Sequence, residues 1–183
     1  MSIPAGNAAD GWVPWVPATA ESAHEGLSKA IDEFEPLQYV AGSAGARWLK
    51  ESSLMQWPQT VTWVLYRNGL IEGFIAMRSG IVELPLAREK VWEKQATVRW
   101  PCSVVEWMCR RDGDEFDGRR LINQAIYRAR EVGKTQGNVA LVIEPFDPKI
   151  GEILKKEHDY LSATGQGHLY VPIYDPEDRL MPS

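Results

Sequence analysis

Polar and apolar residues along this chain repeat with two periods, and the clearest block is Thr60 to Arg78. There, Thr60 to Arg67 and Leu70 to Arg78 are rich in β-branched and aromatic residues and are joined by Asn68-Gly69. That pair accepts the positive φ angles of a two-residue turn, so the block is read as an antiparallel hairpin. Ile81 to Leu84 continues as a further extended piece. Thr97 to Arg110 forms another long strand, with a bend expected at Pro101. Val139 to Ile143 is apolar without interruption, as in a central strand covered on both faces. His168 to Tyr174 is a last strand, and Trp12 to Pro17, stiffened by two prolines, is a short first one.

Helical spacing fills the intervals. From Thr19, an N-cap followed by Glu21 and Glu25, the set Ala23, Leu27, Ala30, Ile31 and Phe34 marks one buried face. A second helix is predicted from Ala44 to Gln56, with Trp48, Leu49 and Met55 inward and Pro58 ending it. After the polar stretch Arg111 to Asp117, a third helix turns Leu121, Ile122, Ala125, Ile126, Ala129 and Val132 inward and is closed by Gly133 and Gly137. Pro148 to His158 predicts a fourth, with Ile150, Ile153 and Leu154 inward. Ala87 to Lys94 suits a solvated loop or a short helix.

Composition narrows the class. The 183 residues suit one domain, read here as residues 12–174 between a flexible segment 1–11 and a tail 175–183. A formal net charge of -5 argues against broad, nonspecific attraction to nucleic acid or anionic lipid. No window is long and apolar enough to span a bilayer, and Met1 to Gly11 does not resemble a signal peptide, so a cytoplasmic location is expected. Cys102 and Cys109 are too few for a disulfide framework or a four-ligand zinc site, and His24, His158 and His168 show no metal-ligand spacing. The eight tryptophans are dispersed and suit packing in a core or interface.

The order strand, two helices, hairpin, long strand, helix, strand, helix, strand resembles the GNAT N-acetyltransferase superfamily. Val16 to Ala23 looks like its opening strand and first helix turn. Val105 to Ile122 looks like its central strand, cofactor loop and cofactor helix, and Leu141-Val142-Ile143 with Asp147 like the approach to its last long helix. The resemblance covers most of the chain from Val16 to Tyr174. It implies an α/β fold with a mixed, mostly antiparallel central sheet flanked by helices.

The family's cofactor loop runs Gln or Arg, two residues, Gly, one residue, then Gly or Ala, and holds the pyrophosphate of acetyl-CoA on backbone N–H groups. Unpaired amides at a helix N-terminus, aided by the helix dipole, attract anions in this way. Here the stretch reads Glu115-Phe116-Asp117-Gly118-Arg119-Arg120, so Gly118 fits while Glu115 and Arg120 depart from the pattern. Arg120 either substitutes as a phosphate ligand or fills the site. Arg110, Arg111, Arg119 and Arg120 are matched by Asp112, Asp114, Glu115 and Asp117, which also describes a solvated loop of local ion pairs. By resemblance, the cofactor contacts are Met108, Cys109 and Arg110 at the end of the central strand, with Gly118, Arg119 and Arg120.

Catalysis in the family is attack of an amine on the acetyl thioester, usually with a general base and often with a tyrosine that protonates the thiolate. Glu106 on the central strand is the base candidate; alternation sets it opposite to Val105 and Trp107, toward a cleft or a covering helix. A structural or substrate-orienting carboxylate is its other reading. Counting along the last helix puts the tyrosine position at Leu154 or Lys155, neither a phenol, and leaves Tyr160 as the acid only if the helix end is shifted. Two functions follow. One is an acyl-CoA-dependent N-acyltransferase using acetyl-CoA and an amine acceptor. The other is an inactive GNAT-fold protein that binds a protein partner or builds a larger assembly.

Overall fold

A computed structural model describes residues 11–15, 26–36, 40–53, 55–56, 58–85, 97–113, 118–145, 148–158, 161–163 and 168–173. The helix start at Thr19 with Ala23, the segment 87–94, Glu115 to Asp117, Asp147, Tyr160 and the two chain ends lie outside them. The chain forms two compact units, Met1–Arg78 with Glu106–Gln124, and Ser79–Val105 with Ala125–Ser183.

The first unit begins with β1 (Trp12–Trp15), α1 (Leu27–Asp32), α2 (Val40–Glu51) and β2 (Thr60–Arg67). It also contains β3 (Leu70–Pro85) as far as Arg78 and β4 (Thr97–Arg110) from Glu106 onward. β1 runs antiparallel to β2, and β2 antiparallel to β3. The hairpin turn is the predicted one, with φ of 50° at Asn68 and 78° at Gly69. Pairing passes from Leu65–Gly73 to Tyr66–Ile71, so Glu72 is a bulge in β3. Leu27, Ala30, Ile31 and Phe34 from the first helical segment and Ala46 and Leu49 from α2 bury against Val64, Phe74 and Cys109. Aromatic rings bind this layer: Phe34 meets Phe74 edge-on, and Trp48 stacks on both Phe74 and Trp107. α2 lies so near β4 that a Cβ at Gly45 would collide with Cys109 Sγ, which is why this helix carries a glycine in its interior.

The second unit holds the rest of β3 and β4, most of α3 (Arg119–Gln136), β5 (Ala140–Ile143), α4 (Pro148–Glu157), β6 (Ser162–Ala163) and β7 (Leu169–Pro172). One of its buried clusters is mainly aliphatic: Val82, Cys102, Val104, Ala140 and Val142, with Trp100, Val139 and Tyr170 against it. β4 pairs parallel with β5 over Cys102–Val105, and β5 pairs antiparallel with β7. Asn138 Nδ2 donates to Ser103 Oγ at 2.9 Å, both side chains buried. The strand order is β1-β2-β3-β4-β5-β7-β6, a mixed and mostly antiparallel sheet flanked by helices, as expected.

Four local expectations need correction. β3 is one strand from Leu70 to Pro85 rather than two pieces, because Ser79-Gly80 stays extended. α2 occupies Val40–Glu51, so Met55 falls in the turns beyond it and is 77% exposed. α3 passes through Gly133 and ends at Gln136, where Gly137 adopts a φ of 79° and donates its N–H to the Gly133 carbonyl. In α4 Leu154 is buried as predicted, but Ile153 is 53% exposed. Among the described residues, no helix is long and apolar enough to cross a membrane.

Candidate functional site

The sequence candidates gather where β4 leaves the sheet and α3 begins. Glu106 is half-buried in β4, and its Oε2 accepts a 2.8 Å hydrogen bond from Thr60 Oγ1 of β2. Thr60 is only 2% exposed, so its hydroxyl is turned inward to that carboxylate. Trp107, the next residue of β4, lies 6.1 Å from Trp48 in a stacked pair.

Met108 is half-buried. Cys109 is buried beneath α2, and burial pushes its thiol up to about 12, so it stays neutral at physiological pH. The Cys109 Sγ donates a weak bond to the Gly42 carbonyl at 3.7 Å, leaving the main chain as this residue's means of touching a ligand. Arg110 Nη1 donates to the Gly113 carbonyl at 3.3 Å.

Arg111 has a different task. Its backbone N–H donates to the Glu72 carbonyl and its Nε to the Ile71 carbonyl, each at 2.7 Å, while its guanidinium lies 5.8 Å above the Phe34 ring. Both carbonyls belong to the β3 bulge, so Arg111 pins the end of β4 to β3 just ahead of the loop. It is therefore not one of the solvated ion pairs that the sequence allowed for.

Gly118 precedes α3, and its carbonyl accepts from the Leu121 N–H at 3.0 Å, which starts the helix. Among the described residues a Cβ here would come no closer than 3.9 Å, to Arg110 Cδ, an ordinary contact. Arg119 and Arg120 are exposed on the first turn, which holds no acidic residue. Cations at the positive end of a helix are unfavourable by themselves and become favourable when an anion sits there. The donor set, amides plus two guanidinium groups, fits the pyrophosphate of acetyl-CoA. On the same helix, burial lowers the Arg128 pKa, with Tyr127 and Glu131 acting in the opposite direction.

Glu106, Met108, Cys109 and Arg110 share one strand end, and Gly118, Arg119 and Arg120 open the helix that follows. At the two tyrosine registers α4 presents buried Leu154 and exposed Lys155, and Tyr160 lies outside the described residues. Sequence reasoning missed Thr60 and Arg111, because their partners are 46 and 40 residues away.

No family model and no curated protein matches this chain. Solved structures do. A mutant of KacT superposes with a TM-score of 0.64 at 15% identity, covering 89% of this chain and 95% of its own. AtaT complexed with acetyl-methionyl-tRNAfMet gives 0.62 at 16% identity, covering 82% and 92%. A mutant AtaT toxin bound to the C-terminus of the antitoxin AtaR and acetyl-CoA gives 0.59 at 14%, covering 78% and 85%. Identities this low establish shared architecture, and the chain is built on the GNAT fold.

Proposed function

We propose that this protein is an acyl-CoA-dependent N-acetyltransferase that moves an acetyl group from acetyl-CoA to an amine. The observation that carries the reading is the strand–loop–helix unit running from Glu106 to Arg120. It sets a half-buried, hydrogen-bonded carboxylate on the same strand as Met108, Cys109 and Arg110, ahead of a helix start rich in anion donors. Backbone N–H groups after Gly118, with the Arg119 and Arg120 side chains, hold pyrophosphate, and Glu106 takes the proton from the attacking amine. Acetyl-CoA supplies the activated acyl group when bound. The acetyl-CoA and the acetyl-methionyl-tRNAfMet bound in AtaT structures support this chemistry.

A second reading, an inactive GNAT-fold protein working with a protein partner, is favoured by α4, whose two tyrosine registers are Leu154 and Lys155. The antitoxin bound in an AtaT structure gives that reading a precedent.

Two measurements on the gently purified protein separate them. Mass spectrometry is expected to find CoA or acetyl-CoA travelling with it. Release of free thiol from acetyl-CoA is expected with at least one member of an amine panel: methionyl-tRNA, spermidine and a lysine-containing peptide. CoA without turnover on any acceptor selects the binding role, and absence of both removes the acyltransferase reading.

A further inference from the structure

We propose that Thr60 is a positioning residue for Glu106, and that the backbone hydrogen bonds linking Trp48, Ser52, Gln56 and Thr60 are the device that aims the carboxylate. The inference rests on the acyltransferase reading, because a carboxylate needs aiming only if a proton must reach it.

A glutamate side chain has three torsions, the last of them broad, and settles in one orientation only when something grips its oxygens. In the 2.8 Å contact the Thr60 hydroxyl is the donor and Glu106 Oε2 the acceptor. Threonine suits this role because its β-branching restricts χ1, which fixes Oγ1 once the backbone is fixed.

The backbone is fixed by a series of turns. Ser52 N–H donates to the Trp48 carbonyl at 2.9 Å, Gln56 N–H to the Ser52 carbonyl at 3.1 Å, and Thr60 N–H to the Gln56 carbonyl at 3.0 Å. Each bond starts where the previous one ends. The series runs from the last turns of α2 to the first residue of β2. At its other end Trp48 stacks on Trp107, the covalent neighbour of Glu106. Ser53, within the same stretch, accepts from Trp15 Nε1 at 3.0 Å and donates to the Leu49 carbonyl, which holds the segment against β1. One segment therefore grips the Glu106 carboxylate through Thr60 and the adjoining backbone through Trp48.

With Oε2 engaged by Thr60, Oε1 is the oxygen that receives the proton. The amine nitrogen attacks the thioester carbonyl carbon, the N–C bond forms, and the C–S bond breaks with its electron pair going to sulfur. The amine proton passes to Oε1 and then to solvent, and sulfur takes a proton from solvent. Release of the carboxylate from Thr60 leaves acetyl-CoA binding intact and lowers the fraction of encounters in which Oε1 is in reach.

The test is a double-mutant cycle in the full chain, using acetyl-CoA with whichever panel amine turns over fastest. Thr60→Val keeps the shape and removes the hydroxyl; kcat is expected to fall by roughly 10- to 100-fold, the scale of a misaimed group, with KM for acetyl-CoA unchanged. Thr60→Ser, which restores the hydroxyl, recovers most of the rate. In a Glu106→Gln background, Thr60→Val adds no further loss. Independently of turnover, the Glu106 carboxyl carbon resonance in 13C-glutamate-labelled protein shifts in Thr60→Val and returns toward its position in Thr60→Ser.

Full activity of Thr60→Val beside a slow Glu106→Gln overturns the positioning role and leaves the base. Equal loss from Thr60→Val in both backgrounds, or no recovery with serine, makes Thr60 a packing residue and also overturns it. Unimpaired Glu106→Gln removes the base and this inference together. No turnover in the unmodified protein overturns the acyltransferase reading itself, and the inference falls with it.

Discussion

The two compact units use their buried polar groups differently. In the first, Thr60 bonds the Glu106 carboxylate, and the half-buried Arg111 bonds carbonyls of the β3 bulge, so the polar contacts hold a strand end and a titratable side chain. In the second, Asn138 bonds Ser103 beside a small aliphatic core, so the contact secures the approach of β5 to β4. The first unit has a cluster that mixes aliphatic side chains with Trp15, Phe34 and Phe74 and carries Trp107, the neighbour of Glu106, at its margin; the second has a cluster of Val, Ala and Cys on paired strands. Under the proposed function, one end of β4 would serve chemistry and the other stability, and substitutions in the two units should separate along that line.

The largest stability effect is expected at Gly45. Gly45→Ala gains about 1 kcal/mol of helix propensity. The new methyl group, however, meets Cys109 Sγ and comes within 3.4 Å of Trp107 Cε3. Overpacking costs ~1–3 kcal/mol and occasionally more, and a collision with a fully buried sulfur falls at the upper end, so a net loss of roughly 2 kcal/mol or more is expected in denaturant titrations, along with slower acetyl transfer because Trp107 adjoins Glu106. Cys109→Ala in the same chain should recover part of the stability. A smaller effect is expected from Asn138→Ala, which leaves the Ser103 hydroxyl without this donor and should cost ~1–2 kcal/mol. Transfer per folded molecule should stay at the unmodified level. If Asn138→Ala slows the chemistry as Gly45→Ala does, the division between the two units is wrong.

The sequence carried what depends on neighbours close in the chain. Asn68-Gly69 announced the hairpin, the spacing from Leu121 to Ala129 announced α3, and the unbroken apolar run announced β5. It was less informative where a strong local signal was overruled. Ser79-Gly80 has the composition of a break but lies inside a 16-residue strand, and Met55 fits the helical period of a helix that has already ended. The candidate site was half legible. Glu106 and Gly118 could be placed by their position around one strand–loop–helix unit, whereas the partners of Glu106 and Arg111 depend on which strands lie side by side and on a bulge at Glu72. No periodicity encodes such contacts, since they arise only when the sheet is assembled.

If the start of α3 receives the pyrophosphate of acetyl-CoA, calorimetric titration of the unmodified protein and of Gly118→Asp will separate the two proteins. Among the described residues none crowds a Cβ at this position, so Gly118→Asp should fold and melt like the unmodified protein while setting a negative charge in front of the amides. Saturable acetyl-CoA binding is expected for the unmodified protein, and its loss in Gly118→Asp. No binding by the unmodified protein at millimolar acetyl-CoA, or equal binding by both proteins, would contradict that placement of the pyrophosphate.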